Sequence, residues 1–301
     1  MMTNSPLIFD RKLLTDRARR ARAQGPVTFL LERAASDLVE RLSAVLRQFP
    51  SALDLGTPTD AVRNLLKGIP AVGTIVAANT SAESLAAYGG PKFVADEEIL
   101  PLAPASLNLI VSALALQAVN DLPGTLIQIR RALKPDGLFL AGLLGGNTLT
   151  ELRESFFAAE EEIEGGASPR IAPFLEVREA GGLLQRAGFA LPVVDVDNVT
   201  VRYGSPFSLM RDLRAMGATN PLIERRRKPL RRATLLRAAE IYAEKFSDPD
   251  GKVRATFDIV WLSGWAPHDS QQKPLAPGSA KARLADALGT REMPTGEKAG
   301  D

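Results

Sequence analysis

The sequence predicts a doubly wound α/β fold, and three observations carry that prediction. Short apolar runs of β character alternate with helical spacing between residues 50 and 145, an amphipathic helical region precedes them, and two late strand-like runs are separated by helices. Such alternation marks βαβ units, whose parallel strands are covered on both faces and read as continuous apolar runs.

Residues 6–48 show helical spacing. In "FLLERAASDLVERLSAVLRQF", Leu30, Leu31, Ala34, Leu38, Leu42 and Leu46 fall on one stripe, so an amphipathic helix is expected to lead into the fold. The expected strands are then "ALDL" (52–55), "GTIVAA" (73–78), "KFVA" (92–95), "LNLIVSALAL" (107–116) and "GLFLAGLL" (137–144). Before the last of these, "VNDLPGTLIQIRRALKPDG" (119–137) reads as a helix running to a Pro-Asp-Gly turn. A helix around 175–187, an extended run at 191–203, two helical stretches within 205–247 and a strand at 255–265 follow. The late strands extend the sheet, and segments at about 147–172 and 205–247 form a helical lid over its carboxyl edge. Trp261 and Trp265, four apart on a strand, share a face and are expected in the core. The domain reading is a helical segment at 1–48, the α/β domain at 49–268 and a tail at 269–301, poor in large apolar residues and expected to be disordered.

Composition narrows the chemistry. The 301 residues are 45% hydrophobic, enough for a proper core, and 37 Lys and Arg stand against 35 Asp and Glu. That balance gives no whole-molecule case for nucleic acid, which is not expected as a partner. With no cysteine and one histidine, His268, there is no thiol nucleophile, no zinc-cysteine site and no basis for a Ser-His-Asp triad; no metal is expected. No apolar run is long enough to span a membrane. The arginine-rich start, "MMTNSPLIFDRKLLTDRARRARAQ", carries Asp10 and Asp16 and lacks an apolar centre, so it reads as mature sequence of a bacterial cytoplasmic protein.

The candidate site lies where the strands end, since open α/β sheets bind ligands beyond their carboxyl edge. "LDLG" (53–56) ends the first strand, "ADEE" (95–98) follows the third, and "ALKPDG" precedes the fifth. This order and spacing resemble a class I S-adenosylmethionine-dependent methyltransferase over about residues 50–145. The resemblance narrows through "FDRKL", "ADEEILPL", "VNDLPGTLIQI", "LKPDGLFLAGLLGGNTLTELR", "EGGASPRIAPF", "LLQRAGF" and "LMRDLRAMGATN". Over about residues 7–268 these are similar to the family of the mitochondrial respiratory complex I assembly factor 5 and its alphaproteobacterial relatives, itself related to the malonyl-carrier-protein methyltransferase of biotin synthesis. The resemblance implies a Rossmann-like fold, S-adenosylmethionine as cofactor and a protein partner, a subunit of respiratory complex I. Mitochondrial members are associated with arginine hydroxylation of such a subunit rather than methyl transfer.

The residues that would hold the cofactor are Asp54, Gly56, Asn79, Asp96 and Glu97, and the loop among them is altered. The family loop runs L-D-L-G-x-G-x-G, whereas Pro58 and Asp60 stand here in place of the second and third glycines. Proline offers no N–H, and a carboxylate placed ~4 Å from the cofactor's own would repel it by roughly 4 kcal/mol at an effective dielectric of about 20. The same residues read as a helix start, with Thr57 as N-cap, Pro58 in the first turn and Asp60 completing a capping box. Asn79 replaces the acid that grips the ribose, and Gln117-Ala118 replace a frequent His-Trp. Three readings stay open: a non-methylating or weakly methylating assembly protein, an active methyltransferase with an altered loop, and a scaffold that binds through its lid. No catalytic residue is assigned. Gly145, Gly146, Asn147 and Arg170 are the partner or substrate candidates, Arg170 first because it would suit an acidic group. The run "ERRRKPLRR" (224–232) reads as a solvated loop or a docking surface.

Overall fold

The computed structural model describes residues 7–272, 286 and 289–291. Its centre is a seven-stranded sheet made of β1 (Phe49–Leu55), β2 (Val72–Asn79), β3 (Lys92–Val94), β4 (Leu107–Ala113), β5 (Leu133–Leu144), β6 (Ala190–Tyr203) and β7 (Val253–Trp265). The strand order is β3-β2-β1-β4-β5-β7-β6. The first five are parallel, and β7 runs antiparallel between β5 and β6. Reversal of strand order between β1 and β4 opens a crevice at their carboxyl ends, as the doubly wound reading requires.

The helices are α1 (Arg11–Ala23), α2 (Phe29–Ser43), α3 (Ala61–Leu66), α4 (Ala82–Leu85), α5 (Leu122–Ala132), α6 (Thr150–Glu164), α7 (Val177–Arg186), α8 (Pro206–Ala215) and α9 (Arg232–Phe246). One face of the sheet is covered by α2 through Leu30, Leu31, Ala34, Ala35, Leu38 and Leu42, and farther along by α6, α8 and α9. The other face packs against α5 and α7, with Leu126, Ile129 and Leu184 wholly buried. Trp261 is buried and Trp265 packs against the same cluster, as their spacing predicts.

Three sequence expectations are corrected. The helix expected across 6–48 is two helices, because Gly25 adopts φ +88° and Pro26 cannot continue the ladder. Leu46 therefore leaves the apolar stripe and is 95% exposed. The fourth strand stops at Ala113, where Leu114 turns left-handed at φ +49° and a short 3-10 turn, Leu116–Ala118, follows. Lys134-Pro135-Asp136-Gly137 is not a turn outside the strand but a bulged start of β5: Asp136 has φ +62°, and the β4–β5 register shifts between Leu107 and Leu109. The described residues through Pro267 form one compact unit. Of those beyond, His268 Nδ1 lies 2.7 Å from Ser270 Oγ. The rest of the expected tail lies outside the described residues.

Candidate functional site

The loop after β1 is held from inside. Asp54, wholly buried near the end of β1, accepts from Arg63 Nη1 at 2.5 Å and from the Thr57 hydroxyl. Burial pushes its carboxyl up to about 6, against the opposing pull of Arg63 and the hydrogen bond from Thr57. The same Thr57 hydroxyl accepts from Ala113 N at 3.3 Å, tying the loop to β4. Thr57 is thus a buried strut rather than the N-cap expected from the sequence. Asp60 occupies the cap position of α3, yet its side chain makes no capping bond; Ala61 N instead donates to Thr59 Oγ1 at 3.3 Å. The capping box is therefore absent, because Thr57 has been drawn inward by Asp54.

Asn79, at the end of β2, turns toward the loop. Its amide donates to Gly56 O at 3.0 Å and Thr57 O at 3.4 Å, while its oxygen accepts from Ser81 N at 3.2 Å. Every polar atom of this side chain is engaged by its own backbone surroundings. Asn79→Ala is expected to lower stability by about 1–3 kcal/mol, read as a shift in the urea midpoint at unchanged slope, because two inward-facing carbonyls lose their donor.

Gly56 has φ +73°, a conformation that glycine adopts without strain. The space in front of it is taken: a side chain there would meet Glu97 Oε1 at 2.7 Å and Ala115 Cβ at 2.9 Å. Glu97 is buried and its carboxyl is pushed up by burial, against the pull of Arg11. Arg11 is the residue that sequence reasoning missed. Its guanidinium pairs with Glu97, with Asp96 at 3.0 Å and with Glu98 at 3.8 Å, and donates to Ala118 O at 3.2 Å. Helix α1 lies as a strap across the carboxyl edge. Arg22 donates to Pro58 O at 2.7 Å, Arg17 to Thr219 O at 2.8 Å and to Asn220 O, and Asp10 pairs with Arg225 at 3.1 Å. Between the strap residues Arg11, Lys12 and Thr15 and the ends of β2 and β3, an open cleft of about 430 Å³ remains beside Asp96, Thr80 and Val94.

The other candidates fall elsewhere. Gly145 and Asn147 close β5 against β7, their amides donating to Asp258 O at 2.9 Å and Asp258 Oδ2 at 3.2 Å; Gly146 lies in the same turn. Arg170 is turned onto the wholly buried Glu160, with Nε at 2.8 Å and Nη2 also bonded, and its guanidinium stacks 5.7 Å from the Phe156 ring. Its charge is answered within the chain, contrary to the expectation that it waits for an acidic partner group. The basic run is likewise partly internal, since Arg225 pairs with Asp10, and Arg226 and Arg231 pair with Glu164 at 2.8 and 3.6 Å.

A larger cavity of about 640 Å³ opens above the sheet between the 3-10 turn after β4, α6, α8 and the segment around 170–174. Leu149, Leu152, Phe156, Phe174 and Met210 line it, with Gln117, Arg211 and Arg214 among its polar groups. Among the described residues, no group of three or more His, Cys, Asp or Glu side chains is arranged to hold a metal ion.

Comparison with known proteins agrees with this architecture. A family model described as a methyltransferase domain matches residues 53–141. The chain is 41% identical over 264 residues to "Arginine-hydroxylase NDUFAF5, mitochondrial" of Danio rerio, covering 86% of this chain and 81% of that protein. It is 32% identical over 275 residues to the malonyl-[acyl-carrier protein] O-methyltransferase of Gallionella capsiferriformans, covering 86% of this chain and 92% of that one. Among solved structures, the YcgJ protein of Bacillus subtilis superposes with a TM-score of 0.53 at 13% identity, over 78% of this chain and 99% of that one, a likeness of fold alone. The expectation of a bacterial cytoplasmic protein is overturned: the zebrafish relative and the others of its name are mitochondrial proteins.

Proposed function

This chain belongs to the family of the arginine-hydroxylase NDUFAF5 and the malonyl-[acyl-carrier protein] O-methyltransferases, and from that premise we propose that it acts on or with a protein partner in respiratory complex assembly, with S-adenosylmethionine binding weakened or lost. One observation carries the second half of the reading. The positions that would receive the cofactor are satisfied by the protein itself: Asn79 faces the loop carbonyls, Glu97 fills the front of Gly56, and Arg11 covers Asp96 and Glu97.

In this arrangement the residues present do not fit the cofactor. A methionine carboxylate needs backbone N–H groups at the loop, and Pro58 has none. An adenosine beside Asp96 needs the carboxylates to face it, and α1 has engaged them through a guanidinium that would have to leave three acidic neighbours. The relatives' name supports an arginine of the partner protein as the group acted on. A second reading, an active methyltransferase, is favoured by the open cleft beside Asp96, which leaves part of the adenosine side accessible.

Calorimetric titration with S-adenosylmethionine and S-adenosylhomocysteine separates the two. The natural protein is expected to give no micromolar binding, and a Pro58→Gly, Asp60→Gly, Arg11→Ala variant to recover it. Micromolar binding by the natural protein would sink this reading and put methyl transfer first.

A further inference from the structure

The cavity above the sheet has a composition that selects its occupant. Its wall is apolar, and no Asp or Glu is part of its lining. Arg170 is neutralised by Glu160, but Arg211 and Arg214, one turn apart on α8, form no ion pair among the described residues. Arg211 donates only to the Ser208 hydroxyl at 3.1 Å. Two cations thus face the cavity without a counter-charge of their own, and an ammonium or guanidinium group would find nothing there to offset it.

Gln117 adds a second requirement. Its Nε2 donates to Leu114 O at 2.8 Å, and because a carbonyl oxygen can only accept, that contact fixes which end of the amide points where. The remaining atom, Oε1, is buried and has no hydrogen-bond partner. A buried acceptor left unmatched is costly; Oε1 is closed off from the cavity as the side chain stands, and a shift of the Gln117 amide toward the cavity it lines brings it within reach of a ligand O–H or N–H.

We infer that this cavity binds an anionic amphiphile: an alkyl chain whose terminal carboxylate meets Arg211 and Arg214 and which carries a hydroxyl or amide N–H where it passes Gln117. The volume lies within the range of ligand pockets, roughly 300–1,000 Å³, and accommodates a medium-length chain. None of Gly56, Asn79, Asp96 and Glu97 lines this cavity, and chain binding is measured with no S-adenosylmethionine present, so the two readings are tested separately.

Calorimetry on the full chain with octanoate, decanoate, ω-hydroxydecanoate, decanol and decylammonium tests it. Decanoate is expected to bind, each added methylene tightening binding about fourfold, and decanol to bind at least about tenfold more weakly. The hydroxy acid gains over decanoate, and Gln117→Leu removes that gain. Arg211→Gln with Arg214→Gln, both exposed and safe for the fold, abolishes the preference for decanoate over decanol. Met210→Trp fills the cavity and removes binding of all the chains. The inference is overturned if decylammonium binds as tightly as decanoate, if decanoate does not bind, or if it binds Met210→Trp unchanged.

Discussion

Arg63→Ala is expected to lower the unfolding free energy at pH 7 by about 3–5 kcal/mol, because it strips the counter-charge from a wholly buried Asp54. The guanidinium lies 2.5 Å from the carboxylate and 5.0 Å from the Tyr88 ring, and it is itself almost wholly buried. Part of the loss is recoverable by taking away both charges. Asp54→Leu with Arg63→Met should come back to within about 1 kcal/mol of the natural protein or exceed it, since such pairs are expensive to desolvate. Urea denaturation of the three proteins decides this, and equal stability of Arg63→Ala and the natural chain would remove the pair from the account of the loop.

The pair also carries a pH signature. Burial raises Asp54 from 3.8 to about 6 in the folded protein. A carboxyl raised on folding binds its proton more tightly in the native state, so its contribution is fully present below about pH 4 and is lost as pH rises through 6. The shift corresponds to about 3 kcal/mol. The natural protein should therefore lose stability relative to Asp54→Asn between pH 4 and pH 7, by up to that amount. The deficit of Arg63→Ala should shrink as pH falls, because a neutral carboxyl costs less to bury alone.

Much of this arrangement was legible as pattern and little of it as pairing. The strands, their alternation and the crevice follow from apolar runs and spacing, quantities that one stretch of chain carries by itself. Gly56 and Asn79 were found because their places along β1 and β2 are fixed by those runs. Arg63 could have been suspected: it lies between Val62 and Leu66 on the face of α3 that packs inward, and a cation there must find a partner. Arg11 had no such signal. Its carboxylates are 85 to 87 residues away, and what brings them together is the break at Gly25-Pro26 that folds α1 back over the sheet edge. The capping box failed for a related reason. Local spacing favoured Thr57 as a cap, but the buried Asp54 competed for the same hydroxyl and won. Tertiary desolvation outweighs a helix cap worth about 1 kcal/mol.

Glu160→Ala should be as damaging as the loss of Arg63, at about 3–5 kcal/mol, and should act on the cavity wall rather than the loop. Glu160 is wholly buried on α6 and accepts from Ser168 N at 2.7 Å, Ser168 Oγ at 3.0 Å, Arg170 Nε at 2.8 Å and Arg170 Nη2. Helix α6 ends at Gly165 with φ +72°, and this carboxylate ties the chain that follows back to the helix, while Asn220 Nδ2 holds Pro169 O at 2.7 Å from the other side. That segment supplies Arg170, Ile171, Ala172 and Phe174 to the cavity. Without the carboxylate the Ser168 amide and a largely buried guanidinium lose their acceptor together, and hydrogen exchange should accelerate at Ser168. Glu160→Gln keeps the size and one acceptor and should cost about 1–2 kcal/mol. If Glu160→Ala cost less than about 1 kcal/mol, Arg170 would be free to turn outward, and its reading as a structural cation would give way to the acidic-partner role that its place in the sequence first suggested.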